Sequence, residues 1–135
     1  LGLKVPENTL HGWFKPACEL LKPLYDELKK QVLAVDYIQV DETTLPVINK
    51  QSHKAVREYL WMVRAVTSGL VFFHYDDGSR SQETARNLLE PFKGYLQSDG
   101  YAAYNLFEGK EGVCLVGCLA HVRRHYETDK EENKF

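Results

Sequence analysis

Three successive runs with strand character, followed by alternating helix and strand signals, constrain this chain more than any other feature. Asp36–Glu42 alternates with period two, so Tyr37, Gln39 and Asp41 share one face and Ile38, Val40 and Glu42 the other. Ile38 and Val40 mark that strand as buried on at least one side, and Leu45–Ile48 can extend it. A polar loop, Asn49–Arg57, follows. Glu58–Thr67 and Leu70–Tyr75 are β-branched and aromatic runs separated by Ser68-Gly69, a two-residue hairpin signal. Three antiparallel strands are therefore expected over Asp36–Ile48, Glu58–Thr67 and Leu70–Tyr75.

After a turn at Asp76–Ser79, Ser81 suits the N-cap of a helix over Gln82–Leu89, with Thr84 at the third position and Pro91 ending the element. A short apolar segment, Tyr95-Leu96, running into Ser98-Asp99-Gly100 reads as a strand that presents Asp99 at its C-terminal end, just before a turn. A short helix (Tyr101–Phe107), a strand (Val113–Val116) and a helix starting near Cys118 complete the chain. The order β-β-β-α-β-α-β-α is a mixed α/β pattern with a five-stranded sheet. Ahead of it, Pro6–Val35 has apolar residues at helical spacing, among them Leu10, Trp13, Phe14, Leu20, Leu21, Leu24 and Leu28. Pro16 and Pro23 inside that pattern predict two helices or one bent one. Asn8–Trp13 could close a helix-turn-helix; otherwise the segment is a helix that covers the sheet.

Composition narrows the function class. A 44% hydrophobic and 27% charged content is that of a soluble globular protein, and no apolar run is long enough to span a bilayer. An odd number of cysteines, 3, argues against a disulfide framework and suits a reducing cytosol. Net charge −2 offers no whole-domain basic signal, which weighs against a passive DNA-binding module more than against an enzyme. The only methionine is Met62, and Glu127–Phe135 is a charged run, so a piece of a longer protein is expected.

Asp41 and Asp99 each sit at the polar end of an apolar strand, one in the first strand and one in the fourth. If those strands are neighbours, the carboxylates converge at one edge of the sheet. Hard oxygen ligands of this kind suit Mg²⁺ or Mn²⁺. Two such ions roughly 3.5–4 Å apart can activate a water or 3′-hydroxyl and stabilise the leaving oxygen of a phosphodiester. Ordinary turn chemistry also explains an Asp before a Gly. Glu42, on the opposite face of a regular strand, is not expected to join the metal site.

The segments Gln39-Val-Asp-Glu-Thr43, Tyr59-Leu-Trp61, Ser79-Arg-Ser-Gln-Glu83, Gly94-Tyr-Leu-Gln-Ser-Asp-Gly-Tyr-Ala-Ala-Tyr104 and Gly117-Cys-Leu-Ala-His-Val-Arg-Arg-His-Tyr126 occur in order along nearly the whole chain. In them the chain resembles the insertion-sequence-66 family of bacterial DDE transposases. The resemblance implies a ribonuclease-H-like catalytic core, with two divalent ions in the complete enzyme. Its reaction would be hydrolytic nicking at transposon ends followed by strand transfer by the freed 3′-hydroxyl. It also implies double-stranded DNA as partner, oligomers in the DNA complex, and a bacterial cytoplasmic, nucleoid-associated location. The family's first two acids fall on Asp41 and Asp99. Its third, a Glu in an Asp-Asn-Asn-containing segment, has no match here, so this chain alone is expected to be inactive or nearly so. Leu119 stands where the family usually shows Trp.

The organisation expected from this is a helical segment at 1–35, an incomplete catalytic core at 36–126 and the start of a helical insertion at 127–135. Glu127, Asp129, Glu131 and Glu132 read as a solvated charge run. Arg123 and Arg124, and more weakly Arg80 and Arg86, are candidate phosphate contacts. Cys114, Cys118, His121 and His125 offer zinc-type ligands, in a spacing shorter than that of zinc fingers. Two other readings remain at this point: a transposase-derived DNA- or partner-binding domain without catalysis, and a ribonuclease-H-like nuclease.

Overall fold

A computed structural model describes residue 2 and residues 4–132. A long helix α1 (Glu7–Leu33) leads into strands β1 (Tyr37–Ile48), β2 (Ala55–Ala65) and β3 (Val71–Tyr75). Helix α2 (Gln82–Leu89), strand β4 (Gly94–Ser98), a 3₁₀ helix (Ala102–Phe107), strand β5 (Val113–Gly117) and helix α3 (Leu119–Glu132) follow. The five strands form one mixed sheet in the order β3-β2-β1-β4-β5. β1 and β2 pair antiparallel, as do β2 and β3, while β1–β4 and β4–β5 are parallel.

Directly paired residues share a face of a sheet, so the register sorts the side chains. Ile38 lies between Ala65 and Leu96, and Val40 opposite Val63, itself paired with Phe72. All six are buried, and with Val32, Trp61, Leu88, Leu89, Phe92, Tyr104 and Phe107 they form the core. The opposite face is polar near β1: Tyr37 Oη donates to Gln97 Oε1 at 2.6 Å, Gln39 Nε2 to the same oxygen at 2.8 Å, and Arg64 Nη1 to Gln39 Oε1 at 3.3 Å. One strand thus supplies both a dry and a wet surface, as its period-two pattern requires.

Several connections differ from the sequence expectation. The β2–β3 link is not a two-residue turn. Ala65 N donates to Leu70 O and Gly69 N to Ala65 O, both at 2.9 Å, so residues 66–69 form a four-residue loop with Gly69 at φ 71°. Glycine takes that left-handed conformation without a Cβ penalty. The loop after β1 is also shorter than expected, because β2 begins at Ala55. Ser81 caps α2 as expected, its side chain accepting from Thr84 N.

α1 is one continuous helix despite Pro16 and Pro23. Each proline removes an intrahelical hydrogen bond, and here both lie on exposed turns where water can reach the orphaned carbonyls. Only its C-terminal part packs on the sheet. Val32 enters the core, the Tyr25 ring meets Phe72 edge-on, and Tyr25 Oη donates to Phe73 O at 3.0 Å. The expectation of a covering helix fails for the other half, where Phe14 is 71% and Leu20 81% exposed. Asn8–Trp13 lie inside α1 rather than at a turn. Among the described residues, no helix is long and apolar enough to cross a membrane.

Candidate functional site

Asp41 lies within β1 (Tyr37–Ile48) rather than at its end, because the strand continues through Leu45–Ile48, but β1 and β4 are neighbours and Asp99 follows directly on β4 (Gly94–Ser98). Cα pairing runs Tyr37–Tyr95, Ile38–Leu96 and Gln39–Gln97, which leaves Asp41 and Asp99 two residues further along parallel strands. Each carboxylate is fixed by a backbone amide: Glu42 N donates to Asp41 Oδ1 at 2.9 Å and Tyr101 N to Asp99 Oδ1 at 2.8 Å. Gly100, between Asp99 and Tyr101, has φ 85°, which lets the chain turn directly after the strand. Turn chemistry and convergence are therefore both present at Asp99.

Glu42 departs from expectation. Asp41, Glu42 and Asp99 each offer one carboxylate oxygen, and these oxygens lie within 4.8 Å of one another. Glu42 does sit on the core face, paired with Trp61. The Asp41 carboxylate, however, folds back along the strand onto Glu42 N, and Asp99 reaches Glu42 through Arg80. A regular-strand argument misses this because it places side chains perpendicular to the sheet and ignores bonds to the chain's own backbone.

Glu42 is the best-held acid of the three. Its side chain is 0% exposed, accepts from Arg80 Nη2 at 2.9 Å and Arg80 Nε at 3.1 Å, and receives a short hydrogen bond from Tyr104 Oη. Burial pushes its carboxyl above the ordinary range, against the hydrogen bonds from Tyr104 and Arg80 that favour the charged form. Burial and the neighbouring Glu42 carboxylate push the Tyr104 hydroxyl strongly up, so it remains a donor. Arg80 Nη2 also stands 3.7 Å from Asp99 Oδ2, and the guanidinium lies 3.7 Å from the centre of the Tyr101 ring and 5.3 Å from that of Tyr59. Stacking and pairing together fix this cation beside the acids.

On the polar face, Asp41 and Asp99 border a pocket of ≈ 140 Å³ also lined by Gln39, Gln97, Ser98, Cys118 and His121. Helix α3 brings in the last two, because Cys118 N donates to Ser98 O at 2.9 Å and His121 N to Cys118 O at 3.1 Å. The backbone N–H of His121, and secondarily its ring, lower the Cys118 thiol below its ordinary range. The zinc-type set does not assemble among the described residues: Cys114 is exposed, and the acids are the one group of three or more metal-type ligands. The side chain of His125 lies outside the described part.

Arg123 is exposed and pairs with Glu127 at 2.8 Å, away from the pocket lining. Among the candidate cations, Arg80 pairs with Glu42 and Asp99. Glu42, Tyr104, Gln39 and Gln97 were missed as site residues. All four fall within segments quoted for the family resemblance, which was the available signal.

The comparisons with known proteins agree with the quoted motifs. The family model described as transposase IS66 family matches residues 1–134. The uncharacterized protein y4qI of Sinorhizobium fredii is 30% identical over 139 residues, covering 93% of this chain and 26% of its own length. The uncharacterized protein y4jD of the same organism is 31% identical over 142 residues, covering 93% and 27%. The chain thus spans about a quarter of the length of these relatives. On the match along nearly its whole length, the chain belongs to the IS66 transposase family.

Proposed function

We propose that this chain is the ribonuclease-H-like, metal-binding part of a transposase that nicks DNA at transposon ends and joins the freed 3′ ends to target DNA. One observation carries the reading: carboxylates on adjacent parallel strands, Asp41 and Asp99, converge within 4.8 Å at the edge of a pocket. The donor set fits Mg²⁺ or Mn²⁺, since it is all carboxylate oxygen and leaves room for waters. Asp41 and Asp99 would hold the metal. Such ions act as Lewis acids and generate an activated water or hydroxyl at neutral pH.

The chain's own residues prepare the place. Backbone amides fix one oxygen of each Asp, and no hydrogen bond to Asp41 Oδ2 is made among the described residues. Glu42 is engaged by Arg80 and Tyr104, so its role is to hold Arg80 beside Asp99 rather than to serve as a primary ligand. The partner is double-stranded DNA, with Arg80, Arg123 and Arg124 as candidate phosphate contacts.

Calorimetric titration of Mn²⁺ into the wild type, Asp41→Asn and Asp99→Asn tests the reading. Either substitution should weaken binding about tenfold or more, since it removes a charged ligand. Equal affinity in all three proteins would sink the assignment.

A further inference from the structure

The β1–β2 hairpin outgrows the sheet that carries the acids. β4 pairs with β1 only as far as Gln39, and β3 with β2 only from Leu60 onward. Beyond those limits, the residue pairs from Thr44 opposite Tyr59 to Ile48 opposite Ala55 have only each other as strand partners among the described residues. None of residues 43–57 is buried. The tip is nevertheless firmly held. Asn49 N donates to Lys54 O and His53 N to Asn49 O, both at 2.9 Å, and Asn49 Oδ1 accepts from Gln51 N and Ser52 N at 2.9 Å each.

The ribbon's charge sets it apart. Residues 43–57 carry Lys50, Lys54 and Arg57 and none of the 19 Asp and Glu of a chain whose net charge is −2. All three cations are exposed, and none makes an ion pair or a side-chain hydrogen bond among the described residues. At its base the ribbon meets the site, where the Arg80 guanidinium lies 5.3 Å from the centre of the Tyr59 ring.

We propose that this ribbon is an arm that grips duplex DNA, with Lys50, Lys54 and Arg57 on its phosphates. This rests on the reading of double-stranded DNA as the partner and names a surface for it. The acids repel phosphate, so affinity has to come from cations placed elsewhere. A two-stranded ribbon fits the major groove of B-DNA, which is about 12 Å wide. Pro46 has no N–H to give to an added strand, so the ribbon's open edge is a poor template for a protein partner. At about 3.3 Å per residue, Ile48 lies roughly 23 Å along β1 from Asp41. That length corresponds to about 7 base pairs at 3.4 Å each. The arm therefore holds the duplex at a distance from the acids.

Fluorescence anisotropy of a labelled duplex of about 30 base pairs tests this on the whole chain, between about 50 and 200 mM salt, beside Mn²⁺ calorimetry on the same proteins. The triple variant Lys50→Gln, Lys54→Gln, Arg57→Gln should bind about tenfold or more weakly, and its slope of log affinity against log salt should fall by about 2–3, close to one per phosphate contact. A duplex of unrelated sequence should show the same loss. The charge-keeping triple Lys50→Arg, Lys54→Arg, Arg57→Lys should bind as the wild type does. A control of equal net charge, Lys4→Gln, Lys15→Gln, Lys30→Gln, should lose much less. Thermal unfolding and Mn²⁺ affinity should be unchanged in all of them.

An equal loss in the two neutralised triples would make the effect one of net charge and overturn the proposal. An unchanged salt slope in the ribbon variant overturns it too, as does a wild type that binds no duplex. So does a polyglutamate peptide that binds the wild type as tightly as the duplex, which would make the arm a site for an acidic protein. Mn²⁺ binding that is absent, or indifferent to Asp41→Asn, would remove the metal site alone, because the ribbon's salt slope does not depend on it.

Discussion

Arg80 and Glu42 form an ion pair with one sealed partner and one open one. The Glu42 side chain is 0% exposed and that of Arg80 29%, yet two guanidinium nitrogens reach the same Glu42 oxygen. The open partner stays in reach of solvent while the sealed one keeps it in place beside Asp99. The pair's stability contribution and its service to the site are therefore separable by mutation.

Arg80→Ala should destabilise the fold by roughly 2–4 kcal/mol, because it leaves a buried carboxylate without its cation. Glu42→Gln in the Arg80→Ala background should recover part of that loss, since no buried charge then remains. Urea denaturation of the two single variants and the double variant checks the sign of the coupling.

Tyr104→Phe should cost about 1–3 kcal/mol through the lost donor to Glu42. The ring's edge-on contact with Trp61, 6.1 Å between centroids, would be kept. Thermal unfolding gives the stability change, and Mn²⁺ affinity should stay unchanged if Glu42 is not a primary ligand.

Gly94→Ala should be among the most damaging small substitutions, at roughly 3 kcal/mol or more. Gly94 has φ 134°, and a Cβ there would lie 2.2 Å from the Asp36 carbonyl oxygen. That oxygen cannot move aside, because it accepts from Tyr95 N at 2.7 Å. Loss of Mn²⁺ binding together with loss of stability is the expected result, since this clash falls where β1 and β4 begin to pair.

His74 gives the stability a pH dependence. Burial, and then Lys29, hold its imidazole below the ordinary value of 6.5. A depressed folded-state pKa means that the unfolded chain takes up the proton first. The contribution is thus complete above pH 6.5 and is lost as pH falls below it towards the folded-state value. His74→Leu should flatten the stability profile over that interval, as followed by denaturation at a series of pH values.

Period-two alternation, the Ser81 cap and the strand order carried most of the fold in the amino-acid sequence. Asp41 and Asp99 were legible because each follows a short apolar stretch, Ile38–Val40 and Tyr95–Leu96, although β1 continues past Asp41 to Ile48. Glu42 was not, because its approach depends on Asp41 bending back to a backbone amide, which no alternation pattern encodes. The exposed half of α1 was illegible for a different reason. A helical stripe of Leu10, Trp13 and Phe14 specifies a buried face but not which surface buries it.

The parallel seam between β1 and β4 spans three residue pairs, Tyr37–Tyr95 to Gln39–Gln97. On one side lies the β1–β2–β3 meander with α1, built from near neighbours in sequence; on the other lie β4, β5 and α3. Opening that seam would part Asp41 from Asp99 in a single event and leave two raw strand edges.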